Sequence, residues 1–269
     1  MNRGTFTHNN KVEIIEIQTE ASASPTFNGT ITTNGTSRTS WDFDDGSASF
    51  IATNSYSKSY PDATLKTVKW RFGDFKNVTA CQFALNAITG TLDLSSLSNL
   101  GGNFFVYTNP NLTSIINPTN SQVFSSYLAY SCNLTGTLDL SGLSGLGGDF
   151  RAYTNPLLTG ITNPTSSQVF TGYQVNDCDL DYVDFTPLVN ANLNGITLQL
   201  QNNDMIVDDV NHILVDLLAN AVANSAGWSN VILNISGTNA APDSTSGGYD
   251  GLAAITDLET IYGWSITTS

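Results

Sequence analysis

Residues 89–124 read TGTLDLSSLSNLGGNFFVYTNPNLTSIINPTNSQVF and residues 135–170 read TGTLDLSGLSGLGGDFRAYTNPLLTGITNPTSSQVF, an offset of 46 without a gap. Inside this unit a shorter pattern recurs: apolar, any, apolar, any, any, then Asn or Cys. It is met at Cys81/Phe83/Asn86, Phe104/Val106/Asn109, Tyr127/Ala129/Cys132, Phe150/Ala152/Asn155, Tyr173/Val175/Cys178 and Leu198/Leu200/Asn203, and the Asn/Cys positions step by 23 four times and then by 25. Most of these polar positions are followed two residues later by an apolar one: Ile88, Leu134, Leu157, Leu180 and Met205. Each segment thus offers one short strand whose alternate side chains have nothing to pack on until the next segment stacks beside it. The Asn or Cys that closes each strand is expected inside the bend, its amide satisfying backbone groups or its thiol filling the space. Cys132 and Cys178 then lie two turns apart, ~10 Å at ~4.8 Å per strand, too far for a disulfide. With Cys81 pointing inward on the first turn, three free buried thiols are expected.

This is the LxLxxN/CxL signature, and residues 78–205 resemble the leucine-rich-repeat family, with Phe, Tyr, Val and Ala at positions where that family usually has Leu. The resemblance implies a solenoid of about six turns over residues 77–205.

If the inward positions are fixed by the pattern, the residues between them face the other way. One outward column reads Gln82, Phe105, Leu128, Arg151, Gln174, Gln199, and the next Ala84, Tyr107, Tyr130, Tyr153, Asn176, Gln201. The middle is aromatic, and Phe105, Tyr107, Leu128, Tyr130, Arg151 and Tyr153 form the candidate interaction surface. An exposed apolar patch marks a contact site, and tyrosine adds a hydroxyl handle to its contact area. Three uses stay open here: a protein interface, sugar binding, or ladder packing that only stabilises the sheet.

The flanks are of other kinds. Beyond an arm at residues 1–11, residues 12–76 alternate short β-like runs (KVEIIEI, FNGTITT, LKTVKW) with Gly, Asn, Asp and Ser turns, the pattern of a small β-sandwich. Within them, Trp41-Asp42-Phe43-Asp44-Asp45-Gly46, with Tyr60 on a later strand, resembles the WDFGDG turn of polycystic-kidney-disease (PKD) type domains, with Asp44 at the family's glycine. Asp42, Asp44 and Asp45 miss the EF-hand spacing and are expected to build a turn rather than hold calcium. Residues 206–269 form an expected α/β cap. Val207, Val210, Ile213, Leu214, Leu217, Leu218 and Ala221 fall at helical spacing, with Asp204 as the expected cap and Asp208 and Asp209 near the positive end. His212 is expected to be a surface helix residue. A strand at VILNI, a second helix through Leu252 to Tyr262 and a last strand in GWSITTS follow. The fold class is therefore mainly β with some α.

Charge bounds the function. Of the 269 residues, 9 are Lys or Arg and 23 are Asp or Glu, for a net charge of −14, the wrong sign for a nucleic-acid partner. Up to residue 76 there are 8 of each sign; beyond it stand 15 acids and one base, Arg151, which places a domain boundary near that position. Two histidines, His8 and His212, and three cysteines leave little from which to build a zinc site or a Ser/His/Asp relay, so no catalytic residue, metal or cofactor is expected. Asp93 and Asp139 share one repeat position two turns apart, loosely at an inverting glycosidase's separation, but a catalytic pair needs differing environments to separate its pKa values. No apolar run approaches the ~20 residues of a membrane span, and MNRGTFTHNNK lacks the apolar core of a secretory signal. The chain is expected to stay in its cell, to be a mature form, or to leave by lysis in a virion.

The ending, VNHILVDL, then NISGTNAAP, a Leu-rich helix and GWSITTS, resembles the terminal module of leucine-rich-repeat-like proteins encoded by tailed phages, including those of Bacteroidetes hosts. A PKD-like domain leading into repeats also resembles Bacteroidetes surface proteins. The resemblance implies a non-enzymatic virion component such as a fibre, spike or decoration protein, whose partners would be other virion proteins, copies of itself, or a host-surface protein or glycan. A bacterial cell-surface adhesin is the alternative, and a polysaccharide-degrading enzyme a remote one.

Overall fold

The computed structural model describes residues 13–20, 26–33, 39–45, 55–72, 78–119, 123–143, 145–165 and 169–269; the expected arm at residues 1–11 lies outside them. The N-terminal strands are β1 (Glu13–Thr19), β2 (Phe27–Thr33), β3 (Thr39–Asp42), β4 (Ser55–Lys58) and β5 (Lys66–Phe72). Strands β1, β5 and β3 form one antiparallel sheet, whereas β2 pairs with β4 on one side and with the first repeat strand, β6 (Val78–Gln82), on the other. Between these layers Trp41 stacks on Trp70 at 5.2 Å and Phe27 on Tyr56 at 5.1 Å, and Phe83 of the first repeat meets Trp70 edge-on at 5.6 Å. One face of the expected sandwich is thus the repeat's own sheet. Strands from both sides of residue 76 share the long sheet, through β2 and β6, and one core.

This arrangement does not confirm a PKD-type domain, and Gly46 lies outside the described residues. The preceding turn is held by its own carboxylates. Asp44 has φ 54, Asp42 accepts the Asp44 N–H at 3.2 Å, Asp44 accepts the Thr67 N–H at 3.0 Å, and Asp45 pairs with Lys58. The Tyr60 hydroxyl closes the turn by donating to the Phe43 carbonyl at 2.6 Å.

The repeat alternates two kinds of strand. Strands β7 (Thr89–Asp93), β9 (Asn111–Ile116), β11 (Thr135–Asp139) and β13 (Leu157–Thr162) lie on one side, paired in parallel as β7 with β9 and β11 with β13. Strands β8 (Gly102–Phe105), β10 (Phe124–Leu128), β12 (Leu146–Arg151), β14 (Val169–Gln174) and β15 (Thr197–Gln199) lie on the other, parallel to β6. Cys81, Phe104, Tyr127, Phe150, Tyr173 and Leu198 fall in one inward row. The fold is a β-solenoid of about five turns, one fewer than expected, with a helical C-terminal part.

At each bend the residue before the Asn or Cys is left-handed: Leu85, Thr108, Ser131, Thr154, Asp177 and Asn202 have φ between 53 and 61. That conformation is costly for a β-branched residue, so the surrounding bonds must impose it. The asparagines supply them. Asn109 accepts the N–H groups of Asn86 and Ile88, each at 3.0 Å, and donates to the Phe83 and Val106 carbonyls at 3.0 and 2.6 Å. Asn155 donates to Ala129 and Ala152 and accepts from Leu134; Asn203 donates to Val175 and Leu200 and accepts from Cys178. Cys132 and Cys178 donate weakly to the Val106 and Ala152 carbonyls at 3.3 and 3.4 Å. All three thiols are free and buried, as the repeat geometry required.

Helix α1 (Val207–Ala223), β16 (Ile232–Asn234), α2 (Gly251–Tyr262) and β17 (Ser265–Thr267) complete the chain. Strands β16 and β17 join the long sheet in parallel, Leu198 beside Leu233 and Leu233 beside Ile266. The cap therefore continues the coil, with helices replacing the strands of the opposite side. A seventh rung appears here: Asn239 accepts the N–H groups of Asn203 and Met205 and donates to Leu200 and Ile235. Asp204 is not the cap of α1. The helix starts after Ile206 without a side-chain cap, while Asp204 is left-handed at φ 56 and gives its N–H to Thr238 at 3.2 Å. Asp208 and Asp209 occupy the first turn.

Two stability tests follow from these bonds. Asn155→Ala should lower the urea-unfolding free energy by roughly 2–4 kcal/mol, because buried backbone groups lose their partners, and Cys178→Ala by about 1 kcal/mol; equal losses would contradict the ladder's role. Asp243 accepts the Thr245 and Ser246 N–H groups at 3.0 and 2.8 Å and the Asn211 amide at 2.8 Å, and with the Ser246 hydroxyl these bonds hold its carboxyl well below the ordinary 3.8. Its folded pKa is depressed, so its stabilisation exists above the unfolded pKa and fades as pH falls through that window. The gap in unfolding midpoint between the wild type and Asp243→Asn should narrow between about pH 5 and about pH 2. A constant gap would contradict this.

Candidate functional site on the outer face of the long sheet

The parallel register carries the outward residues into straight columns. Gln82 stands beside Phe105, Phe105 beside Leu128, Leu128 beside Arg151, and Arg151 beside Gln174. Two residues along, the N–H of Leu85 meets the Tyr107 carbonyl, that of Thr108 the Tyr130 carbonyl, and that of Ser131 the Tyr153 carbonyl, which sets Ala84, Tyr107, Tyr130 and Tyr153 side by side. Phe105, Tyr107, Leu128, Tyr130, Arg151 and Tyr153 all lie on this face, and each is half-buried.

The half-burial comes from stacking. Tyr107 and Tyr130 have centroids 4.7 Å apart with planes at 3°, and Tyr130 and Tyr153 are 4.6 Å apart at 7°. Tyr130 has both ring faces covered. Burial first, and then the neighbouring Tyr153 and Tyr107 phenols, push its hydroxyl above the ordinary 10.0. The ladder therefore offers hydroxyl edges along its length and free ring faces only at its two ends, a narrower surface than an open aromatic patch. Arg151 is tied to Asp149 at 2.7 Å, and Asp149 also accepts from Thr171 at 2.9 Å.

Neutral groups flank the aromatic strip. Toward the cap the two columns continue as Gln174, Gln199, Asn234, Thr267 and as Asn176, Gln201, Ser236, Ser269. Toward the N-terminus β2 and β4 extend them with Thr30 and Ser55 and with Asn28 and Ser57. At that end the column has Ala84 where its neighbours have tyrosine, and a hollow of about 340 Å³ opens there, lined by Asn28, Thr30, Ser55, Tyr56, Gln82 and Tyr107 among others. The repeat does not reveal it, because half its wall comes from β2 and β4. Its one sequence signal is the alanine in a tyrosine column.

The other candidate residues lie elsewhere. Asp93 and Asp139 end β7 and β11 on the opposite side, and each accepts the N–H two residues on, from Ser95 and Ser141, at 2.9 Å. The two turns match, although Asp93 lies beside Ile14, Ile15 and Glu16 of β1 and Asp139 beside Asn117, Pro118 and Thr119. His212 is not a plain surface residue: its ring is sandwiched between Tyr182 and Tyr249, each centroid at 4.1 Å, with Asp216 one turn away at 3.8 Å. The Tyr182 hydroxyl donates to Asp216. Among the described residues no three His, Cys, Asp or Glu side chains converge as a metal site would need. Burial pushes the Cys132 thiol up to about 11 and the Cys178 thiol up to about 12, which leaves them unreactive near neutrality.

No family model, curated protein or solved structure matches the chain.

The stack sets an energetic expectation. Each stacked pair contributes ~0.5–1.5 kcal/mol beyond area burial, so a double-mutant cycle on Tyr130 and Tyr153 should return a coupling of about 1 kcal/mol, and one on Tyr107 and Tyr153 a coupling near zero. Urea unfolding of the single and double alanine variants measures both. Equal couplings would mean that the rings do not act pairwise.

Proposed function

We propose that the chain is a non-enzymatic structural component of a phage virion, a fibre, spike or decoration protein, which meets its partner through the outer face of the long sheet. The observation that carries this reading is the stacked column of Tyr107, Tyr130 and Tyr153, held on a rigid coil and flanked by neutral amides and hydroxyls. Such a strip combines contact area with hydrogen-bonding edges and needs little ordering on binding. The matching turns around Asp93 and Asp139 support a structural rather than a catalytic role for those carboxylates. The placement on a virion rests on the likeness of residues 206–269 to phage-encoded leucine-rich-repeat-like proteins; the PKD likeness rests on Trp41 to Asp45 and Tyr60.

Partners would be other virion proteins and further copies of the chain, or a host-surface protein or glycan. Attachment to the particle through the N-terminal strands is electrostatically the easier choice, since the charge excess begins beyond residue 76. A bacterial surface adhesin is the second reading, and the hollow beside Tyr107 favours it in so far as it suits a small polar ligand.

Changing Tyr107, Tyr130 and Tyr153 together to Ser should weaken self-association or attachment while the circular-dichroism spectrum stays native. Sedimentation velocity and co-purification with intact virions supply the readouts. Unchanged assembly together with a lowered melting temperature would reduce the column to sheet packing and overturn the proposal.

A further inference from the structure

We propose that the hollow at Ala84 is a subsite for a single pyranose ring, seated on the free face of Tyr107 as the missing fourth ring of the ladder. The proposal rests on the reading of this sheet face as a recognition surface and adds the class of ligand.

Ring spacing is the first ground. Tyr107, Tyr130 and Tyr153 stack at 4.6–4.7 Å, one ring per strand, and the next position of the same column is Ala84. Tyr130 covers one face of Tyr107, and the other borders the hollow. A flat ring placed there would continue the stack at the spacing the strands impose. The volume, about 340 Å³, lies at the lower end of the ~300–1,000 Å³ of ligand pockets, which suits one ring rather than a helix or a strand.

Chemistry chooses between kinds of ring. Asn28, Thr30, Ser55 and Gln82 stand around the hollow with amide and hydroxyl groups. The Tyr56 hydroxyl is buried without a hydrogen-bond partner and ends beside Gly29, where a Cβ would approach it to 2.6 Å. Closed to solvent among the core aromatics, it lies beneath the hollow and offers it no bond. A pyranose presents C–H bonds on its faces and hydroxyls around its rim, which matches a tyrosine face enclosed by neutral donors and acceptors. An aromatic side chain from a protein partner would fill the stack but add no hydrogen bond to that wall, where the Thr30 and Ser55 hydroxyls lie 3.3 Å apart and the Asn28 amide donates to the Thr26 carbonyl at 2.9 Å. Neither the wall nor the ladder carries a free charge, so the sugar expected is a neutral one.

Saturation-transfer NMR of the full chain with methyl glucoside, galactoside and mannoside, N-acetylglucosamine, N-acetylgalactosamine, fucose and rhamnose tests this. At least one neutral sugar should receive saturation. Ala84→Tyr, which supplies the fourth ring, should weaken its binding at least tenfold without lowering the melting temperature, and Tyr107→Ala should weaken it as much while losing the stability of one stacked pair. Tyr153→Ala, at the far end of the ladder, should leave binding unchanged. Silence across the panel, binding that survives Ala84→Tyr, or binding of p-cresol in place of every sugar would overturn the subsite. The self-association of the triple Ser variant is read separately, so an assembly role can stand where the sugar fails, and the sugar can bind where assembly is untouched.

Discussion

Every higher feature of this protein depends on what happens where a strand turns into the next segment of the coil. A parallel coil buries backbone N–H and C=O groups at each bend, and no neighbouring strand can reach them. An asparagine side chain supplies the donors and the acceptor in one group, so Asn109 serves Asn86, Ile88, Phe83 and Val106 at once. Each of those backbone groups, left unmet, would cost ~1–3 kcal/mol. The same device crosses the whole molecule. Asn86 accepts the N–H of Asn28 on β2, and Asn239 performs the task in the helical part. Register is thereby fixed from end to end, and fixed register aligns the outward columns.

The two cysteine rungs are weaker versions of this solution. A thiol fills the bend and donates one long bond, but its sulfur is a poor acceptor. The coil alternates strong and weak rungs with the 46-residue period, Asn109 and Asn155 against Cys132 and Cys178. A second clip carries the same period: the buried Tyr127 and Tyr173 hydroxyls donate to Asn117 and Asn163, whose amides reach the Asp139 and Asp184 carbonyls of the following coil. The loops opposite the long sheet are thus anchored from inside the core.

The coil was legible because its restraint is periodic. Inward rows, bend residues and the tyrosine column all follow from the spacing of Asn and Cys. The seventh rung was not, since Asn239 stands 36 residues after Asn203 and one place later relative to its strand. The charge step near residue 76 does not reveal that β2 joins β6, since net charge reports on surfaces and that pairing is made by backbone bonds that carry no charge signal. The stack of His212 between Tyr182 and Tyr249 joins residues 30 and 37 positions apart, beyond any local pattern. The hollow at Ala84 combines both kinds of information. Its tyrosine wall is written in the repeat, and its polar wall depends on an antiparallel pairing that the repeat does not encode.

Charge acts on orientation rather than on the fold. The two outward columns carry one charged residue, Arg151, and Asp149 neutralises it. Acids beyond residue 76 instead crowd the other surfaces, among them the exposed Asp93, Asp139, Asp179, Asp181 and Asp208. The ~8 Å screening length of physiological salt limits how far those charges reach around the body to that face. Two copies, or one copy and an acidic neighbour, repel when they approach by those other surfaces and do not when the tyrosine strip leads. Under the proposed function, repulsion would then select the strip as the surface of approach before any contact forms, and the uneven charge would orient the protein.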